Sequence, residues 1–243
     1  MTERTLLRLT GNDALDFLQG LVTNDVTKTK DGLVYAALLT PQGKFIADFF
    51  IAADGDALLI DVAASHGAIL AQRLSMYRLR ADVSIDETPL IVSTGTGPAP
   101  TGAQSDPRHP ALGWRLIDAT NVNDATDWDA LRVAHVIPET GIELTPDTYI
   151  LEAGFERLNG VDFRKGCYVG QEIAARMKHK TELKKGLVQV AITGSAPVGT
   201  EITTDGRPAG MLYTQSGGRA LAQLRFDRAT GDMQADSATL RRT

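Results

Sequence analysis

Residues 33–62 read LVYAALLTPQGKFIADFFIAADGDALLIDV. Three apolar runs, 33–39, 45–52 and 57–62, are separated by PQG at 41–43 and DGD at 54–56. Short apolar runs bounded by Pro, Gly and Asp read as strands. Connections this short leave no room for the crossover that parallel pairing requires. The stretch therefore predicts an antiparallel meander, and the rest of the chain is read around it.

Upstream, residues 12–20 predict a short helix, with Asn12 or Asp13 as its cap, Leu15 and Leu18 on one face and Gly20 as its stop. Downstream, Ser65 is placed to cap a helix in which Ile69, Leu70, Arg73, Leu74 and Tyr77 recur at three- and four-residue spacing. Strand-like segments follow near Val83 and Leu90. Residues 94–110, TGTGPAPTGAQSDPRHP, read as a mobile loop. A strand over 112–117 precedes a helix with Trp128, Leu131 and His135 along one side, His135 being read as a packed core residue. After Lys185 the pattern changes to short strands between turns, GLVQVAI, PVGTEIT, DGRPAGMLYT and ALAQLR. That spacing suits a small β-barrel or sandwich. The class is α+β, with a larger region over 1–181 and a β domain over 182–243.

The composition, 43% hydrophobic and 23% charged, is that of a globular protein. No apolar run approaches the roughly 20 residues that span a bilayer, and the first residues resemble neither a signal nor a transit peptide. The expectation is a cytoplasmic chain without a membrane partner. One cysteine excludes an internal disulfide, and the four histidines are too scattered to suggest a metal site. A net charge of −5 argues against a nucleic-acid partner. The charge is uneven, however. Residues 164–185 hold seven Lys/Arg and two Glu, a local balance of +5 against −10 for the remainder. Such a segment serves either as a solvated helix face or as an anion site.

The only cysteine lies in this segment, in VDFRKGCYVGQEIAARMKHK at 161–180. Val169, Ile173 and Met177 form one stripe of a helix beginning near Gly170. Cys167 thus sits just ahead of a helix N-terminus and next to Arg164 and Lys165, a setting that favours a thiolate. A lone free cysteine is ordinarily a small buried hydrophobe. Gly166 and Gly170 permit close backbone approach to a ligand or simply shape a turn.

Lys165-Gly166-Cys167-Tyr168-Val169-Gly170-Gln171-Glu172 resembles the K-G-C-Y-[VI]-G-Q-E signature of the YgfZ-type folate-binding proteins. These are relatives of the T-protein (aminomethyltransferase) of the glycine cleavage system, and their mitochondrial counterparts act in iron-sulfur cluster assembly. Residues 13–26, 38–49, 77–83, 106–115, 132–141 and 151–155 resemble family blocks in the same order. The resemblance implies a T-protein-like body of antiparallel sheets with helices, a central opening for tetrahydrofolate and a small C-terminal β-barrel. It implies folate and iron-sulfur client or assembly proteins as partners, and a monomer. Cys167 becomes the functional thiol, supported by Lys165. Phe45, Phe49, Asp48, Tyr77 and Arg132 become pterin-lining residues, and Gly166, Tyr168, Gly170, Gln171, Glu172 and Arg176 complete the folate-binding set. T-proteins carry paired acids where this chain has Ala47 and Asp48, which weakens a transferase reading. Two functions follow from the resemblance: an accessory factor for assembly or repair of iron-sulfur proteins, or a folate-dependent one-carbon transferase that works through Asp48.

Overall fold

Alternation along the meander gives its sheet two unlike faces, one apolar and one carrying charge. The structure is a computed structural model describing residues 3–122, 124–180 and 182–242. Its contacts define two units, Met1–Thr126 with Phe155–Ala175, and Asp127–Gly154 with Arg176–Thr243.

The first unit runs β1 (Arg4–Thr10), α1 (Ala14–Gln19), a 3-10 turn (Val26–Lys30), β2 (Val34–Leu39), β3 (Phe45–Asp54), β4 (Ala57–Ala63), α2 (Ala64–Arg78), β5 (Ser84–Glu87), β6 (Ile91–Gly95), β7 (Gln104–Ser105) and β8 (Trp114–Asp118). β2, β3 and β4 form the predicted antiparallel meander. β1, which the sequence pattern did not single out, adds to it in the order β2-β3-β4-β1-β5. Val34, Ala36 and Leu38, then Phe49 and Ile51, then Leu58, Ile60 and Val62 face one way and pack against Leu18, Leu70 and Leu74 of the two helices. A Leu or Ile fully buried in such a layer contributes about 1.5–3 kcal/mol.

The helix expectations need three corrections. Leu18 is buried but Leu15 is exposed, so the two do not share a buried face. Asp13 makes no side-chain cap; its carboxylate accepts from the Asp82 backbone N–H at 2.8 Å instead. Ser65 likewise leaves α2 uncapped and bonds His66 Nδ1. The loop expected over 94–110 is partly regular: β6 extends into it, and β7 within it pairs with β8 in a three-stranded sheet ordered β6-β8-β7.

The second unit holds α3 (Trp128–His135) and a closed six-stranded barrel of β9 (Lys185–Thr193), β10 (Glu201–Thr204), β11 (Arg207–Ser216), β12 (Arg219–Arg225), β13 (Asp232–Ala235) and β14 (Ala238–Arg242). A barrel rather than an open sandwich therefore forms. Asp205-Gly206 and Gly217-Gly218 sit at hairpin tips with positive φ, as two-residue turns require. Inward residues such as Val190, Ile202, Leu212, Leu224, Met233 and Leu240 fill the interior. The buried side of α3 carries Arg132 and Val133, while His135 is only half-buried. A helix α4 (Gln171–Lys180) begins right after Gly170 as predicted, and its residues divide between the two units.

Candidate functional site

The second face of the sheet carries the chemistry. Tyr35 lies opposite Phe50, and Phe50 opposite Asp61, so register places the three in one row across β2, β3 and β4. Asp48 is two residues before Phe50 and therefore on the same face. Its carboxylate accepts from the Tyr35 hydroxyl at 2.9 Å. Burial, reinforced by the neighbouring Asp48 charge, raises the Tyr35 pKa well above its ordinary value, so the phenol stays a donor.

Charge on this face is neutralised by arginines from three other segments. Asp61 binds Arg4 at 2.5 Å and Arg115 of β8 at 2.5 Å. Asp106, at the end of the Gly/Pro-rich stretch, binds Arg108 at 2.7 Å. Arg115 stacks 3.8 Å over the Phe50 ring, and Arg108 lies 4.8 Å from Phe50 and 5.5 Å from Tyr35. Burial works to raise the pKa of both acids, but the guanidiniums overcome it and hold Asp61 and Asp106 below the usual carboxylate range. Sequence reasoning missed this network. Its signal was present in isolated acids inside apolar strands, ALLIDVA and FIADFFIA, which need a buried partner.

Above Tyr35 lies an opening of about 480 Å³, walled by Asn24, Lys28, Pro107, Asn159, Phe163 and Arg164 among others. Its walls are two segments stitched together. Thr23 donates its hydroxyl to the Gly160 carbonyl at 2.7 Å, and the Asp162 N–H donates to the Thr23 carbonyl at 3.0 Å. The Asn24 amide donates to the carbonyls of Tyr35 (2.8 Å) and Asn159 (2.7 Å). Lys28 binds Asp162 at 2.7 Å. Gly160 fits only without a side chain, since a Cβ there meets the Phe155 ring at 2.6 Å.

The signature follows directly from that wall. Cys167 is exposed and does not line the opening. Lys165 turns inward: its ammonium donates to the carbonyls of Gln19, the last residue of α1, at 2.7 Å and of Val22 beyond it at 2.6 Å. Burial pulls its pKa down to about 8, against Asp25 and Asp162, which hold it up. Tyr168 is buried beside it, with Lys165 Nζ 5.2 Å from the ring centroid. Burial pushes the Tyr168 pKa up to about 12, and its hydroxyl has no partner among the described residues. Gly170 has φ +82, and a Cβ there meets the Thr40 carbonyl oxygen at 2.6 Å. Its close approach is therefore to the β2–β3 turn. Gly166 is open, with no atom within 4 Å of an added Cβ. Arg164 is almost fully exposed and leans toward Asp162 at 3.7 Å.

The remaining predicted site residues separate. Phe45 and Phe49 are sealed in the sheet. Tyr77 packs half-buried against the core. Gln171 is half-buried, and Glu172 and Arg176 are exposed on α4. Arg132 belongs to the second unit, where its guanidinium bonds Glu143, Glu139 (3.2 Å), Asp129 (3.1 Å) and Thr214 (3.2 Å). The structure thus gathers the signature, Asp48 and Tyr35 in the first unit, and commits Arg132 to acids of the second. The opening has the size of small-molecule sites, and its lining mixes the apolar Leu33 and Phe163 with Lys28 and Arg164 and the acids Glu156 and Asp162; Lys28 and Arg164 are the groups there that would meet the carboxylates of the tetrahydrofolate implied by the resemblance.

Comparison with known proteins now bears on this geometry. A family model for the CAF17 C-terminal beta-barrel domain matches residues 184–243. The mitochondrial iron-sulfur cluster assembly factor IBA57 homolog of Phaeosphaeria nodorum is 30% identical, covering 95% of this chain and 70% of its own. The chain belongs to the IBA57 family of iron-sulfur cluster assembly factors. The human IBA57 protein is 28% identical over 95% of this chain and 78% of its own length. Among solved structures, the glycine cleavage system aminomethyltransferase T of Bartonella henselae matches with a TM-score of 0.73, over 99% of this chain and 83% of that one. At 11% identity this likeness is one of fold, and it bears out the T-protein-like body. IBA57 membership also corrects the expected compartment. The IBA57 relatives compared are mitochondrial proteins, which points to the mitochondrion rather than the cytoplasm.

Proposed function

We propose that this chain serves the assembly or repair of iron-sulfur proteins, with Cys167 as its working thiol, and that it binds tetrahydrofolate at the opening beside the signature. The observation that carries the reading is the contrast within the signature itself. Lys165 and Tyr168 are buried and Gly170 is locked on the β2–β3 turn, yet Cys167 between them is exposed. Burying its neighbours fixes the loop and leaves the sulfur free to meet another protein. The names of the relatives, iron-sulfur cluster assembly factors, support the substrate class. One thiolate cannot hold a cluster, because clusters require several. The cluster is therefore cargo, and the partner is an assembly or client protein that supplies the other ligands.

Folate, when bound, would add a one-carbon carrier and a reduced ring to the site. The chain's own part is to seat the ring against Leu33 and Phe163 in the opening and to receive anionic carboxylates at Arg164 and Lys28, by charge-assisted bonds. Two measurements test the proposal. Cys167→Ser in cells lacking the native protein should lower the activity of iron-sulfur enzymes; full activity would remove the thiol from the mechanism. Calorimetric titration with tetrahydrofolate should give saturable binding that weakens in Arg164→Ala and at high salt. Absence of heat and of competition by folate analogues would remove the ligand.

A further inference from the structure

The signature lysine has been read as a cation that ionises the thiol. Its bonds show a different use. Both described bonds of the ammonium go to backbone carbonyls, Gln19 at the end of α1 and Val22 in the turn after it, 146 and 143 residues away in sequence. The same turn, residues 19–28, also takes Gly160, Asn159 and Asp162 from the chain that leads into the signature. Arg164, the other flanking cation, is in solvent.

We infer that Lys165 is a positioning residue: it ties the Cys167 loop to the turn that also walls the opening, and so sets the presentation of the thiol through geometry rather than through charge. This rests on the reading of Cys167 as the working thiol. The tie is stronger than a neutral contact because a buried ammonium held by two carbonyls makes charge-assisted bonds, whose net value over hydration exceeds that of neutral hydrogen bonds. Removing it lets two segments far apart in sequence open together as one local unit. The opening and the thiol thus share a hinge, and a ligand that braces the turn also braces the loop.

The test uses the purified full chain and Lys165→Met, Lys165→Arg and Thr23→Val variants. Lys165→Met should speed amide exchange about tenfold or more in residues 19–26 and 160–170. The midpoint of the pH profile for Cys167 alkylation by iodoacetamide should stay in place. In cells, Lys165→Met should lower iron-sulfur enzyme activity several-fold, and Lys165→Arg, which keeps donors for the carbonyls, should restore most of it. A midpoint that climbs in Lys165→Met with exchange unaltered would overturn the inference in favour of a charge role. Faster exchange with full cellular activity would overturn it in favour of a purely local packing role. Should Lys165→Met not fold, Thr23→Val loosens the same seam without touching a charge and must show the same faster exchange and lowered activity; normal behaviour there also overturns the inference. Cys167→Ser is assayed alongside. If that variant is fully active, the thiol reading fails by itself, while exchange and the pH profile still decide what Lys165 does.

Discussion

The Tyr35 hydroxyl donates to Asp48 at 2.9 Å, from one strand of the meander to the next. Asp48 is the acid through which the alternative transferase reading would work, and here it is 5% exposed and engaged by a phenol. Asp48→Ala leaves that buried hydroxyl without an acceptor, at a cost of about 1–3 kcal/mol in denaturant unfolding, whereas Asp48→Asn keeps an acceptor and costs less. If Asp48→Asn instead unfolds like the parent but loses formation of methylene-tetrahydrofolate from an aminomethyl donor, the residue is a catalyst and the accessory reading gives way.

Arg115 and Asp61 are both about 2% exposed in their side chains, and truncating Arg115 leaves Asp61 with Arg4 as its remaining counter-charge. Arg115→Met is expected to destabilise the first unit by about 1–3 kcal/mol. The pH dependence has a definite sign. Asp61 and Asp106 have folded pKa values below their unfolded ones. Their contribution is complete above the unfolded value, near 3.9, and disappears as pH falls through the folded values. Urea midpoints should fall steeply below about pH 4 and less steeply in Asp106→Asn, where one of the two protonation steps is gone. An equal slope in both proteins would show that this pair does not govern acid unfolding.

The meander, α4 and the first four barrel strands were legible because each is set by local period and turn chemistry, as in PQG, DGD and Asp205-Gly206, whereas β13 and β14 were not singled out. The signature was legible as a motif but misleading as a geometry. Nothing in KGCY tells that Lys165 points to carbonyls 146 and 143 residues earlier, because the direction of a long flexible side chain depends on which segment the fold brings beneath it. The placement of the ligand-lining residues was not legible for a related reason. Phe45 and Phe49 looked available as aromatic residues, yet strand alternation and burial consumed them. The resemblance gave Arg132 to the pterin, and the acids that claim it, Glu139 and Glu143, lie close by in sequence but needed the αL turn at Val136 to reach back.

That claim on Arg132 is testable apart from the first unit. The Glu143 carboxylate, 1% exposed, accepts from Arg132, from Thr214 and from the Glu139 N–H. Arg132→Met leaves the acid with neutral partners only, and about 3–5 kcal/mol should be lost from unfolding followed by barrel-specific amide exchange. Tetrahydrofolate affinity should be unaltered under conditions where the variant is folded. A tenfold weaker affinity with unchanged stability would return Arg132 to the ligand site.

The two signature glycines give a graded test of how the loop is held. Gly166 has no atom within 4 Å of an added Cβ, and its φ is not positive, so Gly166→Ala should change stability by less than about 0.5 kcal/mol. Gly170→Ala meets two obstacles together. Its φ of +82 costs an L-residue about 1–2 kcal/mol, and the new Cβ falls 2.6 Å from the Thr40 carbonyl oxygen, a backbone atom that cannot rotate aside. A loss of about 2–4 kcal/mol is expected in urea unfolding, with faster amide exchange spreading into the β2–β3 turn. The direction of spread matters as much as the size. Exchange that quickens at Cys167 but leaves residues 40–44 protected would mean the loop is not seated on that turn, and the fixed presentation of the sulfur would lose its physical basis.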